Sequence, residues 1–270
     1  RHGDERFIVM SGISHTRRDH DHLRCHIRDG EDVRLRDVTT SYAVLAVAGP
    51  NSPRLLGAVT DADLSDDAFP PYRMRHTHIG HAPVFAQRLS FTGETGWEIF
   101  VTPDFAEHVL EIILKAGQPL GLRLAGGEAL NALRIEKGFL HWGADMAYTE
   151  APYQLGLDFI CKPGKTLPFI GQDACLARKA DPKGPCLRSV RLADPDAILH
   201  HNEPVLRDGQ IIGFVTSGAF CAMQKAAVGL CLVSPPDRAG GFEAVDDGPC
   251  SVMVEGREVP AELRRKPFSA

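Results

Sequence analysis

The chain has no long hydrophobic segment. None of its apolar runs approaches the roughly 18 residues that a membrane-spanning helix needs, and no signal peptide opens the sequence. Hydrophobic residues make up 43% and charged residues 24% of the 270 residues, which is the composition of an ordinary soluble protein. We therefore expect no membrane partner.

Charge of one sign is not in excess either. The 35 acidic and 30 basic residues are spread evenly along the chain and give a net charge of −5. A protein that binds nucleic acid usually carries a basic patch or stripe. We therefore expect no nucleic-acid partner.

Paired cysteines and glycine-rich nucleotide motifs are also missing. The seven cysteines are odd in number and include no C-x-x-C pair, which favours reduced thiols over a disulfide framework or a zinc site. Reduced thiols fit a cytoplasmic location or the mitochondrial matrix. No G-x-G-x-x-G motif occurs, so nothing in the chain predicts a bound dinucleotide or flavin.

The segments that are present predict an α+β fold in two parts. Up to about residue 182 strands alternate with helices, and the clearest helix begins at Pro103 and ends at Gly117. After that point only short strands follow, separated by Gly, Pro and Asp turns, as in a small β-barrel or sandwich. We predict an α/β region over residues 1–182 and a C-terminal β-barrel over residues 183–270.

Further elements of the first region follow from local patterns. The strands PVFAQRLSF and WEIFV flank TGETG and predict a β-hairpin. RFIVMS and LDFIC are each predicted to be a strand, the second one buried. A helix is predicted from Glu128 to Lys137, with Ala129, Ala132 and Leu133 on its inward side.

One histidine-rich segment, HTHIGH (76–81), is a candidate metal site, because imidazoles two and three residues apart can converge on zinc. No carboxylate or cysteine follows at ligand spacing. A polar strand beside the hairpin explains the segment equally simply, and we predict no metal.

Glu98 is the residue that the pattern explains least. If WEIFV is a strand, Trp97 and Ile99 point to one face while Glu98 and Phe100 point to the other. An ionised carboxylate among aromatic rings is costly unless it is paired. Its partner is either an arginine, such as Arg88 on the neighbouring strand, or a planar ligand with two parallel N–H donors. From the residues alone, a solvent-facing or arginine-paired Glu98 is the simpler interpretation.

Five segments in one order resemble the folate-binding aminomethyltransferase family, the glycine-cleavage T-protein and its relatives. They are RLSFTGETGWEIFV, GLRLAGGEALNALRIEKGFLHWGADM, APYQLGLDF, FIGQDACL and GFVTSG. The variants LRIEKGF, HWGAD and NEPVLRDGQIIGFVTSG are most similar to the C-terminal folate domain of dimethylglycine and sarcosine dehydrogenases. The resemblance implies an aminomethyltransferase-like folate-binding α/β region followed by a small β-barrel.

The resemblance implies a folate site around Glu98, whose carboxylate would hold the pterin edge of tetrahydrofolate. Phe91 stands where the family usually has a pterin-site tyrosine. The remaining residues implied to wall the cofactor pocket are aromatic: Phe100, Phe139, Trp142 and Tyr153. Arg134 and Glu136 are implied to form a buried pair that orients their helix under the site.

The chain departs from the family pattern at three further places. Leu130 replaces an arginine of the helix motif, and Gln154 replaces a glutamate after the proline of APYQLGL. The catalytic aspartate of the family lies ahead of the strand that corresponds to RFIVMS, and no residue here matches it. We therefore leave the catalytic residue unassigned. The chain is either a piece of a longer protein or a degenerate member of the family, and the absence of an initial Met favours the first.

The resemblance implies tetrahydrofolate-dependent transfer of an aminomethyl or methylene unit. The small-molecule partner would be a methylated amine or an aminomethyl donor, and a separate flavin dehydrogenase module is a possible protein partner. Two alternatives stay open. One is a non-catalytic folate-binding or assembly module, and the other is a folate-dependent demethylase that acts on a different methyl donor.

Overall fold

The computed structural model describes residues 1–162, 164–180, 184–234, 245 and 247–268. The chain divides into two compact units. The N-terminal unit comprises residues 1–47, 51–89 and 96–121, and the C-terminal unit comprises residues 48–50, 90–95 and 122–270. The boundary predicted at residue 182 lies outside the described residues and stays a prediction.

The N-terminal unit is built on a four-stranded sheet with the strand order β1-β4-β3-β2. Its strands are β1 (Ala43–Ala48), β2 (Met74–Ile79), β3 (Ala82–Gln87) and β4 (Gly96–Val101). Its helices are α1 (Thr16–Cys25), α2 (Ser52–Gly57) and α3 (Pro103–Gly117). The predicted helix from Pro103 to Gly117 is confirmed.

The predicted hairpin is confirmed as the antiparallel pair β3 and β4, which runs in register from Val84 opposite Val101 to Gln87 opposite Glu98. Strand β3 ends at Gln87, however, and not at Phe91 as predicted. The predicted alternation along β4 is confirmed as well. Trp97 and Ile99 are at most 1% exposed, whereas Glu98 is half-buried on the opposite face. Helix α3 contacts β3 and β4, so one face of the sheet forms the core of this unit.

The strand predicted for RFIVMS is wrong, because residues 6–11 have no strand structure. Phe7 and Val9 are 63% and 65% exposed. A period-2 apolar pattern yields a strand only where another strand offers hydrogen-bond partners, and no strand of the described sheet pairs with this segment.

The C-terminal unit contains a closed antiparallel barrel with the strand order β10-β5-β8-β7-β6-β9. Its strands are β5 (Cys186–Leu192), β6 (Pro204–Arg207), β7 (Gln210–Cys221), β8 (Ala226–Val233), β9 (Gly248–Val254) and β10 (Arg257–Arg264). Closure leaves no unpaired strand edge. The predicted C-terminal barrel is therefore confirmed.

Two helices precede the barrel, α4 (Gly127–Glu136) and α5 (Gln172–Ala180). The existence of α4 is confirmed, but its predicted inward face is wrong. Leu133 is 37% exposed, whereas Arg134, Ile135 and Glu136 are buried. The helix buries this side because α4 contacts β7 and β8 of the barrel, a partner that the helical period alone does not reveal.

The buried strand predicted for LDFIC is also wrong. The segment forms a 3₁₀ turn over Asp158–Ile160, and Phe159 and Ile160 are 69% and 57% exposed. A short apolar run does not distinguish strand from helix by itself. Within the described ranges, no helix is both long and apolar enough to cross a bilayer.

A buried ion pair fastens α4 to the barrel. The guanidinium of Arg134 pairs with the fully buried carboxylate of Asp145 and donates a 2.7 Å hydrogen bond to Ser217 Oγ on β7. Asp145 also accepts hydrogen bonds from Thr216 Oγ1 at 2.6 Å and from the backbone N–H of His141 at 2.9 Å. Two charges thus leave water together and find several partners, the condition under which a buried pair is tolerated.

We expect Asp145→Asn to lower the free energy of unfolding by about 3–5 kcal/mol, because it leaves the Arg134 charge buried without a counter-charge. Asp194→Asn is the matched control in the same unit, since Asp194 pairs with an exposed arginine at 3.8 Å, and its effect should stay below about 1 kcal/mol. Chemical denaturation followed by circular dichroism gives both values. Equal effects of the two substitutions would contradict the structural role of the Asp145 pair.

We expect Gly213→Ala to destabilise the barrel by about 1–3 kcal/mol through overpacking. A Cβ atom at Gly213 would lie 2.0 Å from the carbonyl oxygen of Leu232 on the neighbouring strand. Gly127→Ala in the first turn of α4 is the control, because its Cβ would meet no atom within 4 Å. Thermal unfolding should show a lower Tm for the first variant and an unchanged or higher Tm for the second.

Candidate functional site

Glu98 is the chemically unusual residue of the N-terminal unit. Its carboxylate is half-buried and forms no hydrogen bond or ion pair with any other described residue. Burial raises the pKa of this carboxyl above its ordinary value. The structure thus holds a desolvated acid without the partner that would normally stabilise its ionised form.

Arg88 does not supply that partner, so the arginine-paired interpretation is wrong. One Nη atom of Arg88 donates to the carbonyl oxygen of Phe69 at 2.7 Å, and the other pairs with Asp66 at 2.6 Å. The guanidinium also lies 5.3 Å from the ring centroid of Trp97. Arg88 is therefore engaged with groups other than Glu98.

Aromatic rings lie beside Glu98 on its face of the sheet. The rings of Phe100 and Phe85 stack at a centroid distance of 4.5 Å and an angle of 11°. Tyr42 meets Phe85 edge-on at 5.1 Å. This face therefore combines an unpaired acid with flat apolar surfaces, a chemistry suited to a planar heterocycle that carries N–H donors.

The C-terminal unit contains a cavity of about 350 Å³ that is bounded by α4, β7 and three connecting segments. The lining residues are Phe91, Gly127, Leu130, Asn131, Arg134, His141, Ala144, His200, His201, Thr216, Ser217 and Gly218. Phe91 and Leu130, which stand where the family has a tyrosine and an arginine, thus line one cavity. Arg134 and Ser217, which are hydrogen bonded to each other, form the floor of the cavity.

Sequence reasoning missed the three histidines of this cavity. His141 and the adjacent pair His200 and His201 come from segments far apart in the chain, and no spacing rule joins them. The His200–His201 doublet was a visible but unspecific signal. His201 is held in place by a 2.7 Å hydrogen bond between its Nδ1 and the carbonyl oxygen of Thr216.

Two further predicted aromatic residues lie near this cavity in the C-terminal unit but do not line it. The ring of Phe139, which is 39% exposed, lies 6.4 Å from that of Phe91. Trp142 is half-buried and forms a single β-bridge with Met146.

Tyr153 lies elsewhere in the same unit. It is 5% exposed and lines a second, much smaller cavity of about 40 Å³. Tyr153 and Phe91 therefore line different cavities.

The remaining family positions have structural roles. Arg134 and Glu136 are both buried, as expected, but the partner of Arg134 is Asp145, while Glu136 is hydrogen bonded to the thiol of Cys221. Gln154 is also buried. Its Oε1 accepts the backbone N–H of Ala151 at 2.8 Å, and its Nε2 donates to the carbonyl oxygen of Pro185 at 2.8 Å.

The histidine-rich segment HTHIGH lies on β2 and the turn after it, as the polar-strand interpretation predicts. His76 contacts His2, with 3.4 Å between ring nitrogens, and His81 stacks on His108 at 6.3 Å. Across the described part of the chain, no three His, Cys, Asp or Glu side chains converge in a way that could hold a metal ion.

Two protein families match successive parts of the chain. Residues 1–165 match the GCVT N-terminal domain, and residues 186–269 match the glycine cleavage T-protein C-terminal barrel domain. The fold is also that of a solved structure, the glycine cleavage system aminomethyltransferase T from Bartonella henselae. That likeness has a TM-score of 0.69 at 21% identity and covers 84% of this chain and 59% of the other.

The similar curated proteins are of two kinds. 4-Methylaminobutanoate oxidase (formaldehyde-forming) from Paenarthrobacter nicotinovorans is 36% identical, and the mitochondrial dimethylglycine dehydrogenase of Rattus norvegicus is 39% identical. The matches cover 98% and 90% of this chain but 31% and 28% of those proteins. The chain thus spans about a third of the length of these relatives.

An aminomethyltransferase from Halothermothrix orenii is 30% identical over 98% of this chain and 71% of its own length. The two domain matches follow each other along the chain, and the second coincides with the closed barrel. The aminomethyltransferase match extends over both. The chain belongs to the glycine-cleavage T-protein family.

Proposed function

We propose that the chain is a tetrahydrofolate-dependent domain for transfer of a one-carbon unit, and that Glu98 holds the pterin ring. The observation that carries the proposal is the half-buried carboxylate of Glu98, which has no partner among the described residues. A pterin edge offers two parallel N–H donors, which match the two oxygens of a carboxylate. Family membership supports the same cofactor.

The energetics of Glu98 fit a binding role better than a structural one. A buried acid without a partner destabilises the folded protein. Such a cost is typical of functional sites, where a ligand supplies the missing interaction. Tetrahydrofolate would supply the amine nitrogen that takes up the one-carbon unit, and this chain would bind and orient it.

Aromatic surfaces would complete the cofactor site. We propose Phe91, Phe100, Phe139, Trp142 and Tyr153 as further contacts, as the family resemblance implies. Phe91 keeps the ring of the usual tyrosine but loses its hydroxyl, so stacking is retained while one hydrogen bond is lost. Phe91 lines the 350 Å³ cavity, which supports its assignment more directly than those of Trp142 and Tyr153.

The carbon donor and the protein partner are proposed from the relatives. An oxidase of 4-methylaminobutanoate and a dehydrogenase of dimethylglycine both act on N-methyl amines by name. We propose that the donor of this chain is the product of oxidising such an amine. A flavin dehydrogenase module would carry out that oxidation, in the cytoplasm or the mitochondrial matrix.

A non-catalytic folate-binding module is the second candidate. The observation that favours it is Leu130, which lines the cavity where the family has an arginine. Binding of tetrahydrofolate without transfer of a one-carbon unit would select this candidate over the first.

We expect the 270-residue chain to bind tetrahydrofolate and Glu98→Gln to bind it about 10- to 100-fold more weakly. The reason is that a charge-assisted hydrogen bond contributes about 1.5–3 kcal/mol. Quenching of tryptophan fluorescence during anaerobic titration gives the dissociation constant. Glu107→Gln on α3 is the control, because Glu107 is exposed and its removal should leave affinity unchanged.

If the unaltered chain binds tetrahydrofolate no better than a non-folate heterocycle such as adenine does, the proposed cofactor is wrong. If the chain binds but Glu98→Gln binds equally well, the assignment of Glu98 is wrong while the cofactor stands.

We expect Glu98→Gln to stabilise the chain without ligand at neutral pH. The folded-state pKa of Glu98 is raised above its ordinary value of 4.5, so the folded state favours the protonated acid. That advantage is fully present below the ordinary pKa and is lost as pH rises through the raised pKa. Urea unfolding should therefore give equal stabilities for both proteins near pH 4 and a more stable variant at pH 7. A variant that is less stable at pH 7 would contradict the unpaired state of Glu98.

A further inference from the structure

Two cysteines of the C-terminal unit lie together outside the proposed folate contacts of Glu98 and Phe91. Cys161 directly follows the 3₁₀ turn Asp158–Ile160, and Cys175 lies near the start of α5. Their thiols are close enough to interact electrostatically, and both line the cavity of about 40 Å³. Both are free and only partly buried. The fold thus brings two accessible thiols into contact from separate segments.

The other cysteines have different surroundings. Cys186, Cys221 and Cys231 are at most 2% exposed, so solutes do not reach their sulfur atoms. Burial raises the pKa of Cys250 to about 11, which keeps this thiol protonated at neutral pH. Cys25 is exposed on α1. It serves below as the reference for an accessible thiol.

The charged groups near Cys161 and Cys175 have opposite effects on the ionisation of the Cys161 thiol. Lys179 lies one helical turn after Cys175 and lines the same cavity, and its ammonium group favours a nearby thiolate. Burial raises the pKa of Cys161, and Asp158 acts in the same direction. The pair therefore combines a desolvated thiol with one cation that helps a proton leave.

We propose that Cys161 and Cys175 form an oxidisable dithiol, which a peroxide converts into an intramolecular disulfide. One thiolate attacks a peroxide oxygen, so that an S–O bond forms, the O–O bond breaks and water leaves after protonation. The second sulfur then attacks the sulfenic sulfur, and the S–S bond forms as the S–O bond breaks and a second water leaves. Two thiols are oxidised by two electrons, and one hydrogen peroxide is reduced to two waters.

The disulfide would tie the segment after Ile160 to α5. Tyr153 lines the same cavity as both thiols, so the covalent link would form in the wall of a cavity to which Tyr153 also contributes. A disulfide of this kind closes a short loop and restricts its opening. Oxidation would thus fix the conformation of the 40 Å³ cavity.

The test treats the folded 270-residue chain with a small molar excess of hydrogen peroxide, alkylates the remaining thiols with N-ethylmaleimide and maps the peptides by mass spectrometry. We expect one cross-linked peptide that joins Cys161 to Cys175, lighter by two hydrogens than its reduced parts and released by dithiothreitol. Its yield should not depend on protein concentration, because the reaction is intramolecular. The number of titratable thiols should fall by two.

Cys175→Ser and Cys161→Ser should each abolish the cross-link, whereas Cys25→Ser should leave it unchanged. Circular dichroism checks that each variant is folded. Peroxide that oxidises Cys25 while Cys161 and Cys175 both stay alkylatable would overturn the proposal. So would separate sulfinic acids on Cys161 and Cys175 without a cross-link, because they would show that the sulfurs do not reach each other.

Discussion

The ion pair between Arg134 and Asp145 is the interaction on which the C-terminal unit depends. It joins α4 to β7, and its members accept or donate further hydrogen bonds to Thr216, Ser217 and the backbone of His141. Because Asp145 is fully buried, the pair is stable only with all of these partners in place. The same contacts form the floor of the 350 Å³ cavity, so the fold and the cavity share one network.

Two carboxylates show how burial separates structure from function in this protein. Asp145 is completely buried but satisfied by a guanidinium, a hydroxyl and a backbone amide. Glu98 is only half-buried but has no such partner among the described residues. The first group stabilises the fold, whereas the second costs stability as long as its ionised form has no partner. This difference makes Glu98, rather than the more buried acid, the candidate for ligand recognition.

The departures from the family pattern have distinct consequences. Phe91 and Leu130 remove a hydroxyl and a guanidinium from residues that line a cavity, so they alter the polarity offered to a ligand. Gln154 instead bonds to Ala151 and Pro185 inside the protein, so its amide supports the local turn. Of these replacements, those at Phe91 and Leu130 therefore bear on ligand binding, because these side chains line a cavity, whereas the replacement at Gln154 does not.

Local patterns in the sequence determined the hairpin of β3 and β4, helix α3 and the all-strand character of the C-terminal barrel. These elements rest on periods of 2 and 3.6 residues and on turn chemistry, which act over short distances along the chain. The alternation in WEIFV also placed Glu98 opposite Trp97 and Ile99.

The tertiary structure alone decided the partners of these elements. RFIVMS has the apolar alternation of a strand, but no described strand pairs with it. Arg134 pairs with Asp145 eleven residues away and donates to Ser217 eighty-three residues away, and the histidines that line the cavity come from two separate segments. Cys161 and Cys175 likewise line one cavity from separate elements. Such contacts join residues distant in the chain, and no local rule relates their positions.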